Sequence, residues 1–392
     1  MRLLASALLA LACSLAAAAP FTPASDTDVV ERLPSTASDP SVRRVDSLRK
    51  QLAARPGDVD LRLEIARRYF DLAMAQGDPR YVGYASAAIA PLAQTATGNA
   101  GYWLVKGLIQ QYSHNFAGAL QSLSKAGELD PKSPEPIAWR GAIHMVQARY
   151  PEALAECTRL VPLTHALQAQ GCIAYVQAST GQLTQGYEGL GKELVASGGT
   201  APELALWVRT RLAEMAIRLQ RFAEAEAHFK AALQAGVTDQ FLLGSYADFL
   251  LQQKRPAEVV KLLADWERSD ILLLRLALAG RALNDPRAKG WADQLRDRFA
   301  AAALRGDRLH EQEAARFELD IEGKPGPALD LATRNYAEQK EPRDAEILMR
   351  AAIAAKQPRA AAPAIAWFRE SKYEDPQLAP LAAQLSTPGA AR

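Results

Sequence analysis

The sequence is poor in aromatic residues and cysteine, and it has no excess of charge of either sign. Aromatic residues make up 7% of the 392 residues, and 46 Lys and Arg nearly balance 44 Asp and Glu. Nucleic-acid binders usually carry a basic excess or a basic stripe, so this balance argues against that class. Period-2 runs of Val, Ile and Thr, which mark strands, are also missing. Ala, Leu, Glu, Gln and Arg are common instead, and these strong helix formers predict an all-α protein.

The first nineteen residues have the pattern of a signal peptide. Arg2 is followed by an apolar stretch over residues 3–15, and the small residues 16–19 offer a cleavage site. We therefore expect a periplasmic or secreted protein. An alternative is an outer-membrane lipoprotein anchored at Cys13, because the four residues ending there resemble a lipobox. No later stretch is long and apolar enough to predict a transmembrane helix.

Internal repetition is the most informative pattern in the chain, and its clearest unit covers residues 100–133. Small residues at Gly107 and Ala119 would let two helices approach closely, and a large apolar residue at Leu123 would fill the space between them. This unit resembles the tetratricopeptide repeat (TPR), a helix-turn-helix motif of about 34 residues. Matching positions recur in later units. The residues that carry the resemblance are Trp103, Gly107, Ala119, Leu123, Ala126, Pro131, Ile137, Gly141, Ala153, Ala225, Phe229 and Ala232.

The resemblance divides the chain into five segments. It is specific over residues 58–270, and the chain beyond that point has only looser helical hairpins. We predict a signal peptide at 1–19, a flexible leader at 20–46, a TPR array at 47–270, degenerate TPR-like hairpins at 271–385 and a disordered tail at 386–392.

Membership of this family implies a right-handed superhelix, or solenoid, of stacked hairpins. In the family the first helix of each unit lines an inner groove that binds protein segments. The mixed character of the corresponding residues here favours a partly apolar peptide or helix over a highly charged tail. In this register the groove residues are Leu104, Leu108, Gln111, Tyr112, Ala138, Ala142, Met145, Phe241, Asp248 and Gln252.

Two cysteines, Cys157 and Cys172, remain after ordinary signal cleavage. They fall on consecutive helices, at similar distances from the turn near residues 162–165. In an antiparallel pair they would therefore lie at the same height, as a disulfide requires. An even cysteine number in an exported protein also favours a disulfide. The alternative is a pair of buried free thiols.

Residue patterns for catalysis or for metal and cofactor binding are weak. Residues 186–192 fit the phosphate-loop pattern G-x4-G-K, but Glu193 stands where Ser or Thr must bind magnesium. The five His are widely separated, and neither H-E-x-x-H nor G-x-S-x-G occurs. We expect no cofactor, no metal and no catalysis. The predicted function is a protein-binding scaffold of the periplasm or cell envelope. The alternative is an envelope enzyme, or an accessory to one, that acts on peptidoglycan or polysaccharide.

Overall fold

The computed structural model describes Ser25, residues 40–237 and residues 239–386, and these residues form helices and no strand. The predicted signal peptide, nearly all of the leader before Pro40 and the tail beyond Ser386 lie outside the described residues. The chain divides into two units at the boundary between Asp46 and Ser47. No helix in the described part of the chain is both long and apolar enough to cross a membrane.

The first described helix begins earlier than the leader prediction allowed. Helix α1 spans Pro40–Ala54, whereas the sequence pattern placed the first helix after residue 46. Proline fits the first position of a helix because its φ angle is already helical and its missing N–H is not needed there.

In the described part of the chain nine helical hairpins follow, and the two helices of each hairpin pack on each other. Two additional short 3-10 turns lie at Ala90–Leu92 and Pro358–Ala361, and α20 (Leu378–Ser386) ends the described chain. The first helices of the hairpins are α2 (Val59–Gln76), α4 (Ala100–Tyr112), α6 (Glu135–Val146), α8 (Ala166–Ser179), α10 (Pro202–Arg218), α12 (Gln240–Gln252), α14 (Asp270–Leu283), α16 (Glu311–Asp320) and α18 (Pro342–Ala354). The second helices are α3 (Arg80–Ile89), α5 (Phe116–Leu129), α7 (Tyr150–Leu160), α9 (Leu183–Ala196), α11 (Phe222–Leu233), α13 (Pro256–Leu262), α15 (Ala288–Leu304), α17 (Pro325–Glu338) and α19 (Ala362–Glu370).

Short polar side chains set the helix starts. Asn99, Asn115 and Asp239 each accept a hydrogen bond from the backbone N–H three residues later, at distances of 2.7–3.1 Å. Such caps satisfy N–H groups that have no partner within the helix, and each stabilises the protein by about 1 kcal/mol. Because the caps recur at the starts of α4, α5 and α12, they help to fix the hairpin boundaries.

The turn inside a hairpin also repeats. His114, Ala148, Gln220 and Lys254 lie between the two helices of their hairpins, and all four have φ between 55° and 60°. A left-handed residue at this position reverses the chain after the first helix. The same backbone conformation in hairpins of different sequence shows that they share one architecture.

Packing within the hairpins follows the predicted small and large positions. A Cβ atom on Gly107 would lie 2.7 Å from Cγ of Leu123, so α4 and α5 can approach closely only because residue 107 is glycine. Ala225, Phe229 and Ala232 of α11 are fully buried. Burial of a phenylalanine side chain contributes about 1.5–3 kcal/mol. The prediction of an all-α array of TPR-like hairpins is confirmed.

Candidate functional site

The inner surface formed by the first helices is the predicted partner site, and the chain itself covers part of it. Hydrogen bonds connect hairpins that are far apart in sequence. The Lys340 N–H, just before α18, donates to the Val146 carbonyl at the end of α6 at 2.7 Å. Gln339 Nε2 lies 2.7 Å from His114 Nε2 in the α4–α5 turn. The array therefore curves until its last hairpins contact its early ones.

Further polar contacts extend this connection, and we call the contacts of residues 114–218 with residues 339–374 the seam. Trp367 Nε1 in α19 donates to the Tyr150 hydroxyl of α7 at 2.9 Å, and both side chains are buried. The Leu183 N–H, which begins α9, donates to the Glu374 carboxylate at 2.7 Å. Arg218 stacks on Tyr373, with its guanidinium carbon 3.8 Å from the ring centre. Cation–π stacking of this kind adds about 0.5–2 kcal/mol to the contact.

An apolar cluster lies beneath the seam and contains residues from both ends of the connection. Tyr150, Cys157 and Val176 from the early hairpins pack in one cluster with Trp367 and Tyr373 from the late ones. Because apolar burial supplies most of the stabilisation in such a cluster, the seam is part of the folded core. The looser C-terminal hairpins are therefore integral to the array.

The disulfide prediction is confirmed. Cys157 on α7 and Cys172 on α8 are bonded, with their Cα atoms 5.4 Å apart. The bond links consecutive hairpins, and Cys172 packs against the cluster beneath the seam. It therefore stiffens the array at the place where the late hairpins dock.

Several predicted groove residues pack inside the protein. Leu108 is fully buried, so its assignment to the groove lining is corrected: it faces the helix packing instead. Leu104 packs with the cluster around Leu123, and Ala138 packs with the cluster around Ile137. The family register gives the helix but not the rotation of each side chain, and a one-residue shift on a helix turns a side chain by about 100°.

Other predicted groove residues reach the surface or the seam. Ala142 and Gln252 are exposed, and Gln111 is half-buried. Met145 is half-buried and packs against the cluster beneath the seam. Tyr112 lines a cavity between hairpins. The structure therefore does not bring all ten residues together on one open groove.

Phe241 and Asp248 on α12 lie beside charged residues of later hairpins. The Asp248 carboxylate accepts hydrogen bonds from Arg275 at 2.6 Å and from Arg316 at 2.8 Å. Burial tends to raise the pKa of Asp248, but the two guanidinium groups outweigh it and hold that pKa at about 2. The guanidinium carbon of Arg343 lies 6.0 Å from the Phe241 ring centre.

These arginines were missed by the sequence reasoning. Arg343 also pairs with Glu341 at 2.7 Å, and Arg316 lies 3.7 Å from Asp320 one helical turn away. The spacing of Arg316 and Asp320 is a signal visible in the sequence, since oppositely charged residues four apart share a helix face. The pairing across hairpins has no such local signal. Phe241 and Asp248 thus lie beside paired charges of both signs.

The candidate chemical motifs have structural roles. Residues 186–193 lie inside helix α9, in the second helix of a hairpin. Within the described residues, no three His, Cys, Asp or Glu side chains are grouped so that they could hold a metal ion. His114 contacts Gln339 at the seam, and His165 caps α8.

Comparison with known proteins gives structural matches alone. No protein-family model matches the chain, and no curated protein matches it. Solved structures with similar folds include the APC/C hetero-tetramer Cut9–Hcn1, with 15% identity over 79% of this chain and 52% of that chain, and a TM-score of 0.40. The chain thus spans about half the length of that structure. The type IV pilus biogenesis factor PilW has 19% identity over 60% of this chain and 94% of its own, with a TM-score of 0.35. Yeast Tom70 has 14% identity, 90% and 86% coverage, and a TM-score of 0.41. At these sequence identities the similarity to the solved structures concerns the fold alone.

Proposed function

We propose that the protein is an exported scaffold that holds a segment of another protein against its inner surface, with no catalysis of its own. The repeat fold suits this role, because stacked hairpins present one continuous surface built from successive first helices. The signal-like residues 1–19 support export. The bonded pair Cys157 and Cys172 is typical of proteins in oxidising compartments.

The observation that carries the proposal is the composition of the inner surface. The side chains of Asp248 and Arg343 retain 35% and 40% of their exposure although they lie between hairpins, so a bound segment can reach them. Phe241 offers an aromatic ring beside Arg343. Paired charges of both signs do not attract a uniformly charged tail. We infer a partner segment that carries both signs of charge and at least one apolar side chain.

Affinity capture from a cell-envelope extract tests the partner site. Arg343→Gln and Gln252→Ala alter the inner surface, and Lys289→Gln alters an outer side chain that is 84% exposed. We expect the wild type and Lys289→Gln to retain a partner in fixed stoichiometry, and we expect both inner variants to release it. Equal capture by all four proteins would place the partner elsewhere on the array. Thermal unfolding of each variant shows whether a loss of capture comes from loss of the fold.

Two further measurements test export and the absence of catalysis. Fractionation together with the intact mass of the mature protein should show release of residues 1–19. Palmitate labelling that is lost in Cys13→Ser, or globomycin-sensitive processing, would instead support the lipoprotein alternative. Hydrolysis of peptidoglycan or polysaccharide by the purified protein, abolished by one carboxylate substitution, would contradict a purely binding role.

A further inference from the structure

A cavity of about 560 Å³ opens where the early hairpins meet the loop before α16. Three separate stretches line it: residues 79–86, residues 109–114 and residues 306–309. These stretches come together only because the array curves back on itself. The volume lies in the range of sites that bind small ligands or short peptide segments.

The cavity has apolar walls and few polar groups. Pro79, Val82, Ile109 and Leu309 supply the apolar surface. Tyr112 presents its ring and a hydroxyl that has no hydrogen-bond partner among the described residues. Such a combination suits a side chain that has a long apolar stem and a polar head.

One carboxylate oxygen in the cavity lacks a close partner. Asp307 Oδ1 accepts the Leu309 N–H at 3.0 Å, which fixes the orientation of the side chain. The cation nearest to Asp307 Oδ2 is Arg305, whose Nη2 is 3.8 Å away on a side chain that is 65% exposed. That distance is too long for a hydrogen bond, so Asp307 Oδ2 remains available to a ligand.

The other charged groups around the cavity are already neutralised. The Arg80 side chain donates three hydrogen bonds of 2.6–3.0 Å to the Asp78 carboxylate. Arg308 donates twice to Glu311, at 3.1 and 3.2 Å. Burial lowers the pKa of His114 to about 4, so this imidazole is uncharged at neutral pH.

We propose that this cavity binds the side chain of an arginine or lysine from a protein segment. The aliphatic stem would lie against Val82, Ile109 and Leu309. The cationic head would donate to Asp307 Oδ2 and to the Tyr112 hydroxyl oxygen, and could stack on the Tyr112 ring. This inference rests on the proposed scaffold function and specifies one side chain by which the partner is held. Synthetic peptides alone can test it.

Two fluorescein-labelled pentapeptides provide the test, one with a central arginine among alanines and one with citrulline in its place. Citrulline keeps the shape of arginine but has no charge. By fluorescence polarisation we expect the arginine peptide to bind about tenfold more tightly, the usual size of a charge-assisted hydrogen bond. Equal binding, or no saturable binding of either peptide at millimolar concentration, would overturn the proposal.

Asp307→Asn should remove the preference for arginine, because the amide oxygen can still accept the Leu309 N–H while the charge is gone. Tyr112→Phe should weaken binding of both peptides. Asp293→Asn is the matched control, since Asp293 is an acid on α15 already paired with Lys289 and Arg296. A preference that survives Asp307→Asn would refute the assigned site. Failure of this test leaves the partner-capture result unchanged, so the two proposals can fail separately.

Discussion

The contact between Tyr150 and Trp367 offers a direct test of whether the late hairpins are part of the folded core. These residues are 217 positions apart, and the Trp367 indole N–H donates to the Tyr150 hydroxyl at 2.9 Å. Tyr150 is 8% exposed and Trp367 is 7% exposed. Tyr150→Phe deletes one oxygen atom and leaves a buried indole N–H without its acceptor. An unsatisfied buried donor costs about 1–3 kcal/mol, so we expect a loss of that size in the free energy of unfolding.

Urea unfolding of Tyr150→Phe, Trp367→Phe and the double variant measures the coupling between the two groups. The double variant removes donor and acceptor together, so its destabilisation should be smaller than the sum of the single losses by about 1 kcal/mol. Tyr84→Phe is a control on a ring that is 52% exposed, and we expect a change within about 0.5 kcal/mol.

Hydrogen exchange shows whether the loss of stability in Tyr150→Phe arises at the seam. Tyr150→Phe should raise exchange in α6–α7 and in α18–α19 together, because each side of the seam protects the other. If Tyr150→Phe resembles the Tyr84 control, or if the single effects add fully, the two groups are not coupled in solution. Faster exchange in α7 alone would likewise refute the view that the late hairpins are docked there.

Three other perturbations have defined outcomes. Replacing both disulfide cysteines by alanine should destabilise the array by about 3 kcal/mol, the chain-entropy value for a loop of 15 residues. In urea titrations, the wild-type protein in reductant should lose a similar amount of free energy of unfolding. A different prediction concerns the half-buried His310. Desolvation tends to lower the pKa of its imidazole, but the neighbouring Glu313 carboxylate outweighs this effect and raises that pKa. The stabilisation from this histidine is complete below its unfolded pKa of about 6.5 and is lost as the pH rises through the higher folded pKa. The urea midpoint of the wild type should therefore fall above pH 6.5, and this fall should be smaller in His310→Gln. Parallel pH profiles of the two proteins would contradict the prediction. Gly77→Ala should lower the thermal midpoint more than Gly306→Ala. Both glycines have φ near +70°, but only Gly77 has side chains packed against the site of the new Cβ. Equal shifts in the thermal midpoint would show that the packing at Gly77 does not matter.

Much of the local structure could be predicted from the sequence. Helix boundaries follow from capping residues such as Asn99 and Asn115 and from small residues such as Gly107, and these act within one hairpin. The pairing of Cys157 with Cys172 was also predictable, because the two residues lie on consecutive helices joined by a short turn. Interactions between residues fewer than about 35 positions apart recur in each repeat, so they leave a periodic pattern in the sequence.

The inner surface was predictable only in part. The family register predicted Phe241 and Asp248 on α12 as lining residues, and the structure places both beside arginines of later hairpins. It also selected Leu108, which is buried, and Met145, which packs against the cluster beneath the seam. A register assigns residues to one helix face, but contacts from other hairpins decide whether that face remains open.

The sequence by itself determined that the chain is helical and that it is built of repeated hairpins, and it favoured the pairing of two of its cysteines. Only the tertiary structure decided that the array curves back so that Trp367 reaches Tyr150 and Lys340 reaches Val146. The physical reason is that each hairpin adds a small rotation to the stack, set by the packing of whole helix faces. These rotations accumulate over several hairpins, and no local pattern of residues records their sum.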